Sequence, residues 1–308
     1  MALKGVLRPG LIQLRVLDMA EAINHYQNIL GLNMVCKGGD GRVYFKGWDE
    51  FDHHSVVLRE ADSAGMDFVA YKVDSDQYLT DIEPRIAEWG LQVDQVSAGE
   101  QPGVGRRIGF TLPTGHRMEL YHDIEQSQDH PGIKNPDIYP ERPHGMGASR
   151  FDHLLCYGPN IGKAREFLVD VLEFYEPERV DLPEGEDSLA TWLTCGMKAH
   201  DIAFVEHEDP GKLHHAAFLL QDWNEVGHAA DIISMNEVAL DIGPTRHGIT
   251  RGQTIYFFDP SGNRNEVYCG GYAAYPDHPM RSWDFEQVGK GIFYHDRQLN
   301  DAFLSVVT

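Results

Sequence analysis

An internal repeat limits the fold of this chain more than any other feature of its sequence. Residues 8–11 line up with residues 150–153 at an offset of 142, and residues 110–115 line up with residues 257–262 at an offset of 147. At the second offset Glu119 also matches Glu266. The change of offset needs only a small insertion. A repeat of this length indicates a duplicated domain.

The length of 308 residues agrees with two domains, since single domains usually contain on the order of 150 residues. Periodicity is lost between the two copies, where prolines and glycines are frequent. We therefore predict an N-terminal domain at residues 1–130, a Pro/Gly-rich connection at residues 131–149, and a C-terminal domain with its tail at residues 150–308.

Each half reads as two modules in which a strand is followed by a helix and further strands, so the predicted class is α+β. In the second half a strand at 151–157 precedes a helix capped near Asn160, and a strand at 213–220 precedes a helix capped at Asp222. In the first half a helix is predicted at 76–89. Pro84 is expected to kink or split that helix.

A hairpin closes the second copy. Residues 253–258 and 264–268 read as strands around an Asp-Pro-Ser-Gly-Asn turn. Glu266 and Tyr268 then share one face. A carboxylate buried among apolar neighbours needs a cation or a strong hydrogen-bond network. The alternative is an exposed glutamate at a strand edge.

Two histidines occupy matching positions of related modules. Superposing residues 151–153 on 213–215 aligns His153 with His215 and turns His214 to the opposite face. With Glu266 they would form a two-histidine, one-carboxylate triad, which suits non-haem Fe(II) and leaves positions for a bidentate substrate and O₂. The alternative is two core histidines. In the first copy, Leu11 aligns with His153 and the region around Asp67 aligns with His215. Only Glu119 matches a proposed ligand there, so we expect one metal per chain, in the second copy.

The net charge and the spacing of the cysteines indicate which classes of partner are excluded and which cellular compartment is expected. A formal charge of −22 argues against nucleic acid and anionic membranes as partners. Neither a secretory leader nor an apolar run near the length of a membrane span is recognised. The four cysteines form no CxxC pair, which favours reduced thiols in a cytoplasmic protein.

The stretch TRHGITRGQTIYFFDPSGNRNEVY at residues 245–268 resembles the signature of type I extradiol ring-cleavage dioxygenases. RFDHLLCYG, KAHDIAF, LHHAAF and DIGPTRHG are similar to segments of catechol 2,3-dioxygenases, and this similarity covers nearly the whole chain. The resemblance implies a vicinal oxygen chelate fold of paired βαβββ modules, one Fe(II) per chain and a homotetramer. It implies His153, His215 and Glu266 as the iron ligands.

The same resemblance implies three further site residues. His200 matches an acid/base histidine, for which a pKa near neutrality is expected, and His247 and Tyr256 match residues that hydrogen-bond the diol. The implied reaction is cleavage of catechol by O₂ to 2-hydroxymuconic semialdehyde. A larger diol such as 2,3-dihydroxybiphenyl, Mn(II) in place of Fe(II), a glyoxalase-like lyase or epimerase, and a metal-free binding module are the alternatives. The roles of His214, Tyr294 and His295 stay open.

Overall fold

The computed structural model describes residues 4–139, 143–183 and 188–308. In the described first half, one sheet is formed by β1 (Val6–Val16), β2 (Asn33–Lys37), β3 (Val43–Lys46), β4 (Val56–Glu60), β5 (Gly65–Val73), β6 (Asp94–Val96), β7 (Arg107–Thr111) and β8 (Arg117–Tyr121). Its helices are α1 (Met19–Asn24), which continues as a π-helical turn (His25–Ile29), and α2 (Asp76–Trp89).

The described second half forms a second sheet. Its strands are β9 (Phe151–Gly158), β10 (Tyr175–Asp181), β11 (Ser188–Thr194), β12 (Ile202–Glu206), β13 (Lys212–Leu219), β14 (Leu240–Arg246), β15 (Gly252–Phe258), β16 (Arg264–Gly270) and β17 (Arg281–Asp284). Its helices are α3 (Ile161–Asp170), α4 (Trp223–Met235), a 3₁₀ turn (Phe285–Gln287), α5 (Val288–Ile292) and α6 (Asp301–Ser305).

The strand order shows that each sheet is built from two βαβββ modules. The first sheet has the order β2-β3-β4-β1-β5-β8-β7-β6, and the second has β14-β15-β16-β13-β9-β12-β11-β10-β17. In both, the first strands of the two modules pair antiparallel at the centre, β1 with β5 and β9 with β13. The predicted α+β class and paired modules are confirmed.

Strand register relates the two halves residue by residue. Leu11 pairs with Ala70, which pairs with Glu119 on β8. In the second half His153 pairs with Ala217, which pairs with Glu266 on β16. Since the two ladders match, the residue of the first half that corresponds to His215 is Phe68, two positions before Ala70, beside the predicted Asp67.

An arginine and two apolar side chains fill the first-half counterpart of the triad. Leu11 and Phe68 belong to one buried apolar cluster. Glu119 accepts from Arg107 Nε at 2.6 Å, and the Arg107 guanidinium lies 5.7 Å from the centre of the Phe68 ring. The buried carboxylate is therefore neutralised by a guanidinium, so this half has no need of a metal.

Local signals fix the helix ends. The predicted cap at Asp222 accepts from backbone amides in the first turn of α4, and Asp18 does the same for α1. The helix at 76–89 ends at Gly90, where φ is +109°. Of the two expected effects of Pro84, a kink or a split, the split does not occur, because α2 is continuous from Asp76 to Trp89. Buried Leu79, Ile82 and Ile86 hold both sides of the proline against the core.

Buried polar contacts join the two halves beside the closing hairpin. His25 Nε2 lies 2.8 Å from Asn265 Oδ1, and Tyr26 Oη donates to Asp259 Oδ2 at 3.1 Å. Asn265 precedes Glu266, so the first half supports the strand that carries this carboxylate. The sheets span residues 6–121 and 151–284. We retain the predicted domain boundaries as a proposal; residues 140–142 of the connection and residues 1–3 lie outside the described part.

Two smaller expectations concern cysteines and membrane spans. Cys36, Cys156, Cys195 and Cys269 are all free thiols. In the described ranges, the helices are too short or too polar to cross a membrane.

Burial of His116 is expected to make the free energy of unfolding depend on pH. Burial lowers the pKa of His116 to about 4. Its Nε2–H donates to Lys212 O at 3.0 Å, across the two halves. In the unfolded chain His116 takes up a second ring proton near pH 6.5, whereas in the folded protein it does so only near pH 4. The contribution of neutral His116 to stability is therefore complete above about pH 6.5 and declines towards pH 4, at about 1.4 kcal/mol per pH unit. Between pH 7.5 and 5.5 the wild type should lose about 1 kcal/mol more than His116→Gln in urea unfolding. Parallel pH profiles of the two proteins would contradict this assignment.

Candidate metal centre and its cavity

Three buried side chains converge in the second half. His153 Nε2 and His215 Nε2 each lie 3.1 Å from Glu266 Oε2. One potential ligand atom from each residue lies within 4.8 Å of the others. All three residues are at most 3% exposed. Within the described ranges, no other group of three histidine, cysteine or acidic residues meets this condition.

Neighbouring strands bring the three residues together. His153 is on β9, His215 on β13 and Glu266 on β16, and β13 lies between the other two strands. Alternation along β16 directs Glu266 and Tyr268 into the same cavity, while Val267 belongs to the apolar core. The repeated register of two modules thus places two imidazoles opposite one carboxylate.

The donor set fits a metal ion. His215 Nε2 is buried and makes no hydrogen bond to any described group, although it faces Glu266 Oε2. Two imidazole nitrogens and one carboxylate are suitable ligands for a first-row divalent metal. An unsatisfied nitrogen beside a carboxylate is the arrangement that such an ion would complete.

A relay from the C-terminal tail sets the tautomer of His215. His214 Nε2 lies 2.8 Å from the carbonyl oxygen of Phe303, so this nitrogen carries the proton. His214 Nδ1 is then an acceptor and takes a hydrogen bond from His215 Nδ1–H at 2.7 Å. The lone pair of His215 therefore lies on Nε2, which faces Glu266.

His153 is oriented by its neighbour in sequence. Its Nδ1 lies 3.1 Å from Asp152 Oδ2. The same carboxylate accepts from Lys198 Nζ at 2.9 Å and from Tyr268 Oη at 2.5 Å. An Asp152–His153 contact favours the proton on Nδ1 and leaves Nε2 free to bind a cation.

The charge state of the carboxylate also suits a cation. Burial alone would raise the pKa of Glu266, but His215 and His153 outweigh burial and hold that pKa well below its ordinary value. Thr254 Oγ1 donates to Glu266 Oε1 at 2.6 Å. Burial lowers the pKa of His215 to about 4, which keeps its imidazole neutral at neutral pH.

His200 lies directly beside the three residues. Its ring centre is 4.0 Å from that of His153, and its side chain lines the cavity. Burial, together with the neighbouring His153, lowers the pKa of His200 well below its ordinary value. This differs from the expectation of a histidine that titrates near neutrality. The imidazole is neutral across the neutral pH range because the site is enclosed.

His247 and Tyr256 form a hydrogen-bonded pair on the other side. His247 Nδ1 contacts the carbonyl oxygen of Ile292, so Nδ1 carries the proton and Nε2 accepts from Tyr256 Oη at 2.8 Å. His247 Nε2 is 3.9 Å from Glu266 Oε1. Burial and the charge of Glu266 raise the pKa of Tyr256 well above its ordinary value, so the phenol keeps its proton.

The cavity that holds these residues has a volume of about 490 Å³. Apolar side chains contribute much of its wall: Leu155, Trp192, Ile249, Ile292 and Phe303. This volume lies within the usual range for small-molecule sites, roughly 300–1,000 Å³. The cavity can therefore accept an aromatic ring together with a substituent.

The structure thus brings together all six residues singled out from the sequence: His153, His200, His215, His247, Tyr256 and Glu266. Tyr294 and His295 are exposed and lie outside the cavity lining. Sequence reasoning missed Asp152 and Thr254. Their places in the sequence could have indicated both residues. Asp152 directly precedes His153, and Thr254 lies two residues before Tyr256, which pairs with Glu266.

The relay through His214 leads to a prediction about metal retention. We expect His214→Leu to lower metal affinity about 10- to 100-fold, because His215 would lose the acceptor that fixes its tautomer. His214→Asn is the matched control, since its side-chain oxygen can still accept from His215 Nδ1–H. Metal retained after dialysis against a chelator measures the difference. Equal retention by the leucine variant and the wild type would refute the relay.

Two family models match the chain. Residues 66–125 match the catechol 2,3-dioxygenase-like N-terminal domain. Residues 150–267 match the glyoxalase/bleomycin resistance protein/dioxygenase superfamily.

Individual relatives match almost the entire chain. A metapyrocatechase of Pseudomonas sp. (strain CF600) is 47% identical over 307 residues, which is 99% of either chain. A manganese-dependent 2,3-dihydroxybiphenyl 1,2-dioxygenase of Geobacillus genomosp. 3 is 27% identical and covers 94% of each. The crystal structure of the 2,3-dioxygenase LapB from Pseudomonas sp. KL28 superposes with a TM-score of 0.90 at 47% identity, covering 92% of this chain and 99% of that one.

Proposed function

The chain belongs to the metapyrocatechase family of extradiol dioxygenases, and from this membership we propose that it cleaves catechol with O₂ to 2-hydroxymuconic semialdehyde. The observation that carries the proposal is the convergence of two imidazole nitrogens on one oxygen of Glu266, with a His247–Tyr256 pair beside it. Both atoms of O₂ enter the product, so the reaction needs no external reductant.

We assign His153, His215 and Glu266 as the ligands of one Fe(II) per chain. Their two nitrogens and one carboxylate oxygen match the ligand type of non-haem iron sites. When bound, Fe(II) supplies Lewis acidity that favours the ionised diol and a redox centre at which O₂ can react. Since a related enzyme is manganese-dependent, the identity of the metal is part of the proposal.

His247 and Tyr256 bind and orient the diol. In the structure the lone pair of His247 Nε2 accepts from Tyr256 Oη. If Tyr256 turns its O–H towards an ionised oxygen of the diol, it can donate to that oxygen while keeping its proton, and His247 Nε2 can then accept a hydrogen bond from a diol hydroxyl. Fixed donors and acceptors of this kind select one orientation of the ring.

His200 serves as acid and base. Its neutral imidazole lies beside His153 and can first take up, at its free nitrogen, a proton that the diol releases. The imidazolium then returns that proton to a developing oxygen anion and is neutral again at the end of the turnover. Proton transfer from a histidine already inside the cavity avoids the entry of bulk water.

Substituted catechols are a second candidate class. The volume of about 490 Å³ and the apolar wall near Trp192 and Ile249 favour diols with an added group, with 2,3-dihydroxybiphenyl as the large extreme. A glyoxalase-like lyase is less well supported, because three protein ligands rather than four are found among the described residues.

Metal loading followed by catalysis tests the proposal. Metal-free protein is loaded anaerobically with Fe(II) or Mn(II), catechol and air are added, and O₂ uptake and the yellow ring-fission product are followed. One O₂ consumed per catechol with yellow product is expected for the Fe(II) form. A colourless muconate would indicate intradiol cleavage. No uptake by fully loaded protein would favour the lyase.

Assembly and location complete the proposal. The homotetramer implied by the resemblance would give a particle of about four times 34.7 kDa in light scattering. A monomer with full activity would contradict it. The cytoplasmic location stays a prediction.

A further inference from the structure

The carboxylate of Glu178 accepts three hydrogen bonds beside the cavity. Its Oε2 accepts from Thr250 N at 2.8 Å and from Tyr272 Oη at 2.9 Å, and its Oε1 accepts from Trp283 Nε1 at 2.7 Å. Glu178 is on β10 and is 1% exposed. Its partners are a backbone amide, a phenol and an indole from three separate segments. One side chain of β10 therefore ties these segments together.

One of those segments is the turn at residues 247–252, which has an unfavourable backbone. Thr250 and Arg251 have φ values of +59° and +62°, in a region that side chains other than glycine rarely occupy. Such conformations persist only where surrounding contacts hold them, and they cluster at functional sites. This turn begins at His247.

The turn is held from two sides. On the tail side, Gly248 N and Ile249 N both donate to the carbonyl oxygen of Gly291, at 2.8 and 2.9 Å. On the sheet side, Thr250 N, at the start of the left-handed part, donates to Glu178 Oε2 at 2.8 Å. Without Glu178, the amide of Thr250 would be a buried donor with no acceptor.

We propose that Glu178 is a positioning residue for substrate binding: it holds the turn at 247–252 and thereby places His247 at the diol. The inference rests on the proposed function, in which His247 contacts the diol. Thr250 and Tyr272, two of its three partners, also line the cavity. A displacement of His247 by about 1 Å can reduce catalysis on the order of 100-fold.

Glu178→Gln tests the proposal with little change of shape. The amide oxygen can take the place of Oε2 only as an uncharged, weaker acceptor, and the amide NH₂ then meets the indole N–H donor of Trp283. We expect hydrogen exchange of the amides at 247–252 to become about tenfold faster, as for replacement of a charged acceptor by a neutral one. We expect the KM for catechol to rise roughly tenfold, with the metal content of the loaded protein unchanged.

Glu176→Gln is the matched control. Glu176 lies two residues earlier on β10, accepts from Thr191 Oγ1 at 2.6 Å and does not line the cavity. This variant makes the same charge change on the same strand. Exchange at 247–252 and the KM should both stay at wild-type values.

Two results would overturn the proposal. Unchanged exchange at 247–252 in Glu178→Gln would show that the turn does not depend on this carboxylate. A lower Tm with an unchanged KM would show that Glu178 only stabilises the fold. If the metal-loaded wild type does not cleave catechol, the proposed function fails, but exchange at 247–252 still decides whether Glu178 holds the turn.

A second variant covers the case in which Glu178→Gln does not fold. Tyr272→Phe keeps the carboxylate and the aromatic ring and removes only the hydroxyl donor to Oε2. A smaller acceleration of exchange at 247–252, about threefold, is expected because Glu178 then has two partners instead of three. Exchange at the wild-type rate in this folded variant would likewise overturn the proposal.

Discussion

Replacing Glu266 with glutamine is expected to remove the metal from the protein and to abolish catechol cleavage. The carboxylate supplies the one negative charge among the three residues, and both imidazole nitrogens lie 3.1 Å from its Oε2. A neutral amide cannot offset the charge of a buried cation. Metal affinity should fall on the order of a hundredfold or more, beyond the usual loss for an outer-shell partner. His215→Ala should have the same effect.

Metal analysis of protein loaded with one equivalent of Fe(II), followed by O₂ uptake with catechol, measures both effects. Glu119→Gln is the matched control, since Glu119 occupies the same register position in the first half and is equally buried. That control should keep its metal. It should lose about 1–3 kcal/mol of stability, because Arg107 and Arg117 would lose a charged acceptor while Glu100 still pairs with Arg107. Full metal occupancy in Glu266→Gln would refute the ligand assignment.

The positions of the three proposed ligands could be predicted because they repeat a pattern. His153 and His215 begin equivalent strands of duplicated modules, and Glu266 follows a turn that recurs in the first half. Alternation along a strand then selected His215 over His214. In the structure His215 Nε2 faces Glu266, whereas His214 Nε2 faces the carbonyl oxygen of Phe303. Alternation along a strand, together with an internal repeat, is enough to predict the positions of residues that lie on regular strands.

Contacts between distant segments could not be predicted in this way. The carbonyl oxygen of Phe303 reaches His214 across 89 residues, and Glu178 reaches Trp283 across 105. A backbone carbonyl has no sequence signature, and a single glutamate on a strand is ordinarily a surface residue. Strand β14 was missed for a related reason. Its residues do not follow an alternating pattern.

The pKa of His200 depends on contacts that a sequence motif does not contain. A motif identifies the residue type, but the pKa depends on how many groups exclude water from the ring. In the folded protein His200 is 8% exposed and lies against His153. A bound cation would lower its pKa further. The His200 imidazole is therefore neutral near pH 7.

Substituting asparagine for His200 is expected to reduce kcat about 10²- to 10⁴-fold, the usual contribution of a positioned acid or base. Metal content should stay at the wild-type value, because His200 is outside the group of three proposed ligands. His228→Asn is the control: this histidine lies on α4 with its side chain 59% exposed, and its replacement should leave kcat unchanged. Stopped-flow absorbance of the yellow product gives kcat, and elemental analysis of the same samples gives the metal. A kcat within threefold of the wild type would remove His200 from the reaction. A loss of metal would mean that His200 acts by holding the ion.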